Sequence, residues 1–379
     1  MGDSDNLDCE RLTGVTLSRR QFLKRAAFVA ALPSALALAE ACGSSSPSST
    51  ASPSAITNPV GQAILLNYPG WIGPDELKDY HAKFPEATVK MNTNVPTTLS
   101  GYVQMVKNNP GAYDFSLGDN SQVDQAKAAG IYQAPDWAAI PNIKNVSESF
   151  RKAYPDAPPN DYGKIIIAYR KDLVSPAPTS WADFWKLAPK YSGKVTVLDI
   201  DRDTLGSALK YLGYSGNSTD EAELNKALEA LIQLKPSLQA ISSIDVAKGL
   251  AKGSIVMAAT FDFDVALGAA SNKNVTWAMP EEGAVAYLEG FYPIKGSKHL
   301  DVVYSFLDFH LDPKNYASFI NATGSAWVMP AAEPYIDKAI LDAPSLQPDP
   351  AIVAKVEFEK YLGAATALWT KTWERFLAA

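Results

Sequence analysis

Short apolar runs alternate with amphipathic segments along most of the chain. The apolar runs predict strands, and the segments between them place apolar residues every three or four positions, as helices do. One helix is predicted to start at Gly73-Pro74-Asp75-Glu76, where proline occupies the first turn. Because strands alternate with helices, we predict an α/β fold with mainly parallel sheets. The predicted strands are residues 63–66, 88–92, 115–117, 164–169, 195–198, 255–260, 275–279 and 291–294.

This pattern continues to residue 379, and so much chain exceeds what one hydrophobic core normally serves. We therefore predict two α/β lobes. The first lobe comprises residues 61–163 plus 262–308, and the second comprises residues 164–261 plus 309–379. Ligands of open α/β sheets bind beyond the carboxyl ends of the strands, so the loops there are the place for a site.

The amino-terminal sixty residues have the character of an export signal followed by a linker. The segment Ser18-Arg19-Arg20-Gln21-Phe22-Leu23-Lys24 fits the twin-arginine export pattern. The apolar stretch 26–39 is shorter than the roughly 20 residues that a membrane-spanning helix needs. We predict a signal peptide over residues 1–41 and a flexible Ser/Pro-rich tether over residues 42–60.

Cys42 is followed by Gly43 and a serine run, as in lipoprotein signals whose cysteine is acylated. The sequence thus predicts an exported protein, periplasmic or at the cell surface, held to the membrane through a lipid on Cys42. Ordinary cleavage after Ala39 or Ala41 is the alternative, because Glu40 is unusual so near the cut. The other cysteine, Cys9, lies upstream of either cut, so no disulfide is expected in the mature protein.

Composition and missing motifs argue against several classes of function. The formal net charge is -7 and no Lys/Arg run occurs, which disfavours nucleic acid and anionic membranes as partners. The sequence contains no nucleophile elbow, His-Glu-x-x-His motif, Walker-type loop or dinucleotide-binding fingerprint. His81, His299 and His310 show no partner pattern, and we interpret each as a surface or capping residue. We expect no enzyme, no metal and no cofactor.

Carboxylates and aromatic rings recur in the loops at the predicted strand ends. An anion site would have glycine, serine and free N–H groups at the following helix starts, whereas carboxylates beside aromatic faces suit an organic cation. As an alternative, Asp119, Asp203 and Asp264 merely cap helices, and Trp71 and Trp327 belong to the core. The candidate ligand-binding residues are Tyr68, Trp71, Asp119, Ser121, Asp201, Asp203, Phe261, Asp262, Asp264, Tyr287, Glu289 and Trp327.

Four segments carry a resemblance to a known family. They are Tyr113-Asp114-Phe115 with Val123-Asp124, Thr179-Ser180-Trp181-Ala182-Asp183-Phe184-Trp185, residues 208–217 (ALKYLGYSGN) and Pro280-Glu281-Glu282-Gly283. The chain resembles the spermidine/putrescine-binding family of periplasmic receptors over most of its length. The resemblance implies a type II periplasmic-binding-protein fold, in which crossover strands join two lobes that close on the ligand at a hinge. It also implies a polyamine-like cation as ligand and the permease subunits of an ABC importer as partners. We expect the protein to be a monomer.

The resemblance assigns roles to the candidate residues. Tyr68 and Trp71 stand at aromatic positions of the family, and Asp119 and Ser121 at a serine and a tyrosine position. Asp203, with Asp201 close by, matches an amine-binding glutamate. Phe261 replaces a tryptophan, and Asp264 or Asp262 matches the carboxylate after it. Tyr287 and Glu289 match an aromatic and an acidic residue, and Trp327 lies where the family presents a polar side chain. One departure is a shortened segment before Ile165.

Two other functions remain open. A receptor of the same fold could bind an amino-acid derivative or an opine-like compound, which would be favoured if Arg202 or Lys164 paired with a ligand carboxylate in the pocket. An exported hydrolase or scaffold would require a catalytic dyad that the sequence does not reveal.

Overall fold

The structure is a computed structural model that describes residues 54–96, 99–346 and 355–379. The predicted export signal with Arg19 and Arg20, and the predicted lipidation site Cys42, lie outside the described residues. Residues 54–60 of the predicted tether are described, and they contact the first lobe. Ile56 packs against its core, and the Val60 amide donates to the Asp301 carboxylate over 3.0 Å. The flexible tether thus cannot extend as far as residue 60.

Strands and helices alternate as the sequence predicts. The strands are β1 (Gly61–Leu66), β2 (Ala87–Asn92), β3 (Phe115–Asp119), β4 (Pro159–Arg170), β5 (Val195–Val197), β6 (Leu238–Ile241), β7 (Met257–Phe261), β8 (Val275–Ala278), β9 (Ala284–Pro293), β10 (Ala326–Trp327) and β11 (Val356–Phe358). The α-helices are α1 (Glu76–Lys83), α2 (Leu99–Asn108), α3 (Asn120–Ala128), α4 (Glu148–Ala153), α5 (Trp181–Leu187), α6 (Asp201–Tyr211), α7 (Glu221–Leu234), α8 (Val246–Lys252), α9 (Asp262–Ser271), α10 (Leu300–His310), α11 (Pro313–Thr323), α12 (Lys338–Leu341) and α13 (Thr366–Ala378). Within these described ranges no helix combines the length and the apolar character needed to cross a membrane.

Three buried hydrophobic clusters of the described residues pack against a continuous set of strands, one in the first lobe and two in the second. The strand order is β2-β1-β3-β9-β4-β7-β5-β6, with β10 and β8 beside β4 and β11 beside β9. The run Ile165-Ile166-Ile167-Ala168 forms the second half of β4, and all four side chains are buried. Ile165 and Ile167 enter one buried cluster, while Ile166 and Ala168 enter another on the opposite face. A strand that is buried on both faces is apolar without interruption, and for this reason the sequence predicted a strand at residues 164–169.

The long strands β4 and β9 connect the two lobes. Residues 159–164 of β4 pair with β9 in the first lobe, and residues 165–170 pair with β7 and β8 in the second. Pairing within each lobe is parallel between β1, β2 and β3 and between β5, β6 and β7. The crossover strands run antiparallel to β3 and β7. The expectation of mainly parallel sheets therefore holds inside the lobes and fails at their junction.

The predicted lobe boundaries differ from the buried clusters in two segments. Val265 and Val275 pack in the second lobe although the prediction put residues 262–308 in the first. Phe309, Tyr316 and Leu346 pack in the first lobe although residues 309–379 were assigned to the second. The chain changes lobes only when it passes through a crossover, so it stays in the second lobe until β9 and then in the first until Leu346. Beyond β11 it returns to the second lobe, where Trp369, Trp373 and Phe376 of α13 are buried.

Candidate functional site

A row of polar side chains crosses four neighbouring strands at the lobe junction. Asp119 at the end of β3 is paired with Glu289 of β9, and Glu289 is paired with Asp161 of β4. Asp161 is in turn paired with Trp327 of β10. Directly paired residues in a sheet project from the same face, so three carboxylates and an indole stand side by side.

The loop after β1 brings two aromatic rings to this row. The Trp71 indole Nε1 donates to Glu289 Oε2 over 2.9 Å, and the Asn67 side chain donates to the Trp71 carbonyl over 2.6 Å. Burial, and then the nearby Glu289, Asp119 and Asp203, raise the pKa of Tyr68. Tyr68 and Trp71 therefore border the row.

The second lobe supplies carboxylates from the start of α6. Asp201 and Asp203 are both buried. Burial raises the pKa of Asp203 to about 8, and the negative charges of Asp119 and Asp201 add to the effect. Burial likewise raises the pKa of Asp201 to about 6. Because Asp119 belongs to the first lobe and Asp203 to the second, acidic groups face one another across the junction.

Stacked rings line the same junction. Phe261 and Phe263 are stacked at 4.9 Å with 13° between their planes, and Phe263 contacts Trp71 of the other lobe at 5.2 Å. Tyr287 meets Phe261 edge-on at 5.8 Å. The Tyr287 ring lies directly over Gly163, where a Cβ would overlap the Tyr287 hydroxyl. Such flat apolar faces can cover the methylene groups of a ligand, and they attract cations.

Asp119 has a capping role in addition to its place in the row. Its Oδ1 accepts the Gln122 amide over 2.9 Å at the start of α3 and the Ser121 hydroxyl over 2.6 Å. Ser121 is fully buried, so it acts on the site by orienting Asp119. The capping alternative considered for Asp119 is thus correct, and it does not remove Asp119 from the junction.

Asp262 and Asp264 are held by partners outside the carboxylate row, although Asp262 lies near Asp161. Asp262 Oδ2 forms a buried ion pair with Lys164 Nζ at 2.6 Å. Asp264 accepts the Thr260 hydroxyl and lies at the Ala247 backbone of α8. The first turn of α9 rotates successive side chains by about 100°, so Phe263 points to Trp71 and its acidic neighbours point elsewhere. These two residues were candidates in sequence, and the geometry gives them structural partners instead.

Three residues at the junction were not among the candidates. Phe263 lies between the candidates Asp262 and Asp264. The alternation of aromatic and acidic residues in this segment could have indicated that Phe263 also faces the junction. Asp161 falls in a segment that the sequence placed before the strand, although β4 already begins at Pro159. Glu359 follows β11 and is buried near Asp203 and Asp119, which together with burial raise its pKa. No pattern in the sequence marks a residue so distant in the chain.

Six acidic side chains thus form a carboxylate cluster, defined as Asp119, Asp161, Asp201, Asp203, Glu289 and Glu359. Five are buried and Asp119 is half-buried. Burial followed by neighbouring charge raises the pKa of Glu289, and burial raises that of Asp161 to about 7. Such shifts show that these groups resist carrying negative charge together without a compensating cation.

The basic side chains beside the cluster already have partners. Lys164 is held by Asp262 and by the Ser345 carbonyl at 2.5 Å. Arg202 stacks on Trp369 at 4.5 Å, donates to Asn217 over 2.6 Å and lies 3.8 Å from Glu359. One guanidinium beside six carboxyl groups leaves the junction acidic, so it is suited to a positively charged ligand.

Acidic and aromatic groups at the junction of two α/β lobes are typical of ligand-binding proteins. Residues 77–352 match the family of bacterial extracellular solute-binding proteins, and the chain belongs to that family. It is therefore an exported binding protein rather than an enzyme, as the sequence predicted.

Characterised relatives support this assignment. The chain is 28% identical over 336 residues to the putrescine/cadaverine-binding protein of Pseudomonas aeruginosa, covering 81% of this chain and 92% of the relative. It is 27% identical over 286 residues to the spermidine/putrescine-binding periplasmic protein of Salmonella typhimurium, covering 73% and 81%. The solved structure of a putative spermidine/putrescine ABC transporter from Listeria monocytogenes superimposes with a TM-score of 0.77 at 20% identity, over 83% of this chain and 98% of that one. The predicted family and its two-lobed fold are confirmed.

Proposed function

We propose that this protein is the receptor of an ABC importer and that it binds a polyamine-like organic cation, of the spermidine/putrescine class, between its lobes. The observation that carries the proposal is the carboxylate cluster: six acidic groups, five of them buried, lie beside Arg202 and Lys164, and both of these basic side chains already have partners. A hydrogen bond to a charged group contributes about 1.5–3 kcal/mol, so two ammonium ends account for much of a tight affinity.

The aromatic rings and the carboxylates contact different parts of the ligand. Tyr68, Trp71, Phe261 and Tyr287 cover the methylene chain, while the cluster receives the ammonium groups. Because Asp119 and Glu289 come from one lobe and Asp203 from the other, the ligand makes its full set of contacts only when the lobes are together. Ligand binding then shifts the population to the closed form, whose surface the permease recognises.

Isothermal titration calorimetry of the mature protein with putrescine, cadaverine, spermidine and agmatine tests the proposal. Wild type should bind at least one of them, and Asp203→Asn should raise the Kd about ten- to hundredfold. Asp264→Asn is the matched control, since it neutralises a buried aspartate of the same lobe that lies outside the cluster. Absence of heat with all four amines, or equal losses in both variants, would refute the proposal.

A second candidate is a receptor for an amino-acid derivative, and one feature of Arg202 favours it. Its Nε and Nη1 are buried without a hydrogen-bond partner among the described residues, so they could receive a ligand carboxylate. Ornithine is putrescine bearing a carboxylate, and the two form a direct comparison in the same calorimeter. Tighter binding of ornithine, lost in Arg202→Gln, would select this candidate over the polyamine.

The export route is part of the proposal. Residues 1–41 would direct twin-arginine export, and Cys42 would carry the lipid that keeps the receptor near its permease. Cell fractionation tests this, because Cys42→Ser should move the protein from the membrane to the soluble fraction. An unchanged distribution would contradict acylation of Cys42 and favour ordinary cleavage after Ala39 or Ala41.

A further inference from the structure

Asp161 occupies an unusual position in the crossover strand β4. It is fully buried and stands directly opposite Glu289 of β9, on the same face of the sheet. Like charges at directly paired positions destabilise a sheet, so an apolar residue at position 161 would favour stability. The pair therefore needs a cation or a shared proton.

The two oxygens of Asp161 differ in their surroundings. Oδ1 accepts the Asn160 side-chain amide over 2.7 Å. Oδ2 is buried, and no donor group reaches it within the described ranges; Asp161 gains a further hydrogen bond only when it shares a proton with the facing Glu289 carboxyl. A buried carboxylate oxygen without a donor costs about 1–3 kcal/mol or more, because it loses its hydration without replacement. The other charged or titratable groups around Asp161 are Asp262 of α9, His310 of α10, and Tyr287, Tyr316 and Glu289.

A chain of buried side chains fixes the orientation of Asp161. The pairing of β4 with β9 shifts between Pro159 and Asp161, and this bulge directs Asn160 into the first lobe. Asn160 Oδ1 lies 2.6 Å from His310 Nε2, and His310 Nδ1 lies 2.6 Å from Glu76 Oε1. Asn160, His310 and Glu76 are all buried, so the prediction that His310 is a surface or capping residue is wrong.

The hydrogen-bond directions in this chain follow from its acceptors. Because both ring nitrogens of His310 face oxygen atoms, the imidazole hydrogen-bonds to Glu76 on one side and to Asn160 on the other. The Asn160 oxygen must then face His310, which leaves its amide group to donate to Asp161. The Gly73 amide donates to Glu76 Oε2 over 3.0 Å and completes the chain.

We infer that Asp161 is a ligand-contacting carboxylate which, with Glu289, receives one ammonium group of a linear diamine, and that Glu76, His310 and Asn160 are positioning residues that aim it. The inference rests on the proposed function, because it assigns one end of the ligand. Asp203 in the second lobe receives the other end. The diamine thus spans from the crossover strands to the start of α6.

The test compares Asp161→Asn with wild type in calorimetry with putrescine and cadaverine. Asp161→Asn should raise the Kd about ten- to hundredfold. Without ligand the same variant should unfold at an equal or higher temperature than wild type, because the facing charges are gone. A loss of affinity combined with retained stability cannot come from misfolding. Asp114→Asn is the control, since Asp114 is a buried aspartate of the first lobe that bonds Ile64 and Ser297.

Glu76→Gln tests the positioning chain by a double-mutant cycle. Alone it should weaken binding several-fold, because a neutral amide is a weaker acceptor for His310 than the carboxylate and Asn160 is held less firmly. In the Asp161→Asn background it should change the Kd by less than about twofold, since the residue that it positions is already altered. Multiplied losses in the double variant would overturn the positioning role.

The outcomes separate this inference from the proposed function. Wild type that binds no amine refutes both. Wild type that binds putrescine, together with Asp161→Asn that binds it within about twofold of wild type, overturns the assignment of Asp161 and leaves the polyamine receptor standing.

Discussion

Acidification should weaken diamine binding over the range in which the cluster takes up protons. Burial raises the pKa of Asp203 to about 8 and that of Asp161 to about 7 in the unliganded protein. An alkylammonium group, with a pKa of about 10.4 in lysine, stays charged throughout. It needs carboxylates as partners, so each protonated carboxyl must lose its proton on binding.

The magnitude follows from the pKa of Asp203. At about pH 6 roughly one molecule in a hundred carries that carboxylate, and at about pH 8 roughly half do, so the Kd should fall about 50-fold between them. Between about pH 6 and pH 7 the slope approaches tenfold per pH unit for each proton displaced. A second displaced proton, from Asp161, would steepen it.

Calorimetry in two buffers of different ionisation enthalpy measures the protons directly. At about pH 7 we expect more than one proton released for each diamine bound, about 0.9 from Asp203 and about 0.5 from Asp161. Asp203→Asn should bind more weakly and with a flatter pH profile. A Kd constant within about twofold over this range, with no proton released, would refute the reasoning.

Three further predictions concern stability and packing. The unliganded protein should become less stable as the pH rises from about 4 to 8, because acids with raised pKa bind protons more tightly when folded; thermal unfolding that showed the opposite trend would contradict the burial of Asp201 and Asp203. Gly163→Ala should lower the free energy of unfolding by about 1–3 kcal/mol and weaken ligand binding, because the new methyl group displaces the Tyr287 ring. Urea unfolding measures the stability and calorimetry the affinity. Wild-type values in both would show that the Tyr287 ring does not lie over Gly163. The Ser180 hydroxyl caps α5 by accepting the Asp183 amide over 3.0 Å. Ser180→Ala should therefore lower the free energy of unfolding by about 1 kcal/mol and leave the Kd for putrescine unchanged. A change in affinity without a change in stability would contradict a purely structural cap.

Much of the site was visible as local pattern. Tyr68, Trp71, Asp119 and Asp203 follow apolar runs, and residues at the ends of neighbouring strands meet wherever the sheet forms. The alternation of strands and helices likewise predicts α/β lobes. Such patterns report which residues are buried and where elements end, because burial and helix capping act over a few residues.

Only the tertiary structure showed which acidic residues meet at the junction, because this depends on strand register and on how often the chain crosses between the lobes. Asp161 stands beside Glu289 because β4 and β9 pair in one register with a bulge at Asn160. Lys164 forms a buried ion pair with Asp262 from 98 positions away, a partner that the sequence did not indicate for this candidate. Glu359 reaches the cluster only because the chain crosses between lobes a third time. The sequence by itself indicated the kind of protein and four of the six acidic residues of the cluster. The pairing of the two crossover strands added Asp161, and the return of the chain to the second lobe added Glu359, because such long-range pairings are not encoded in any short segment.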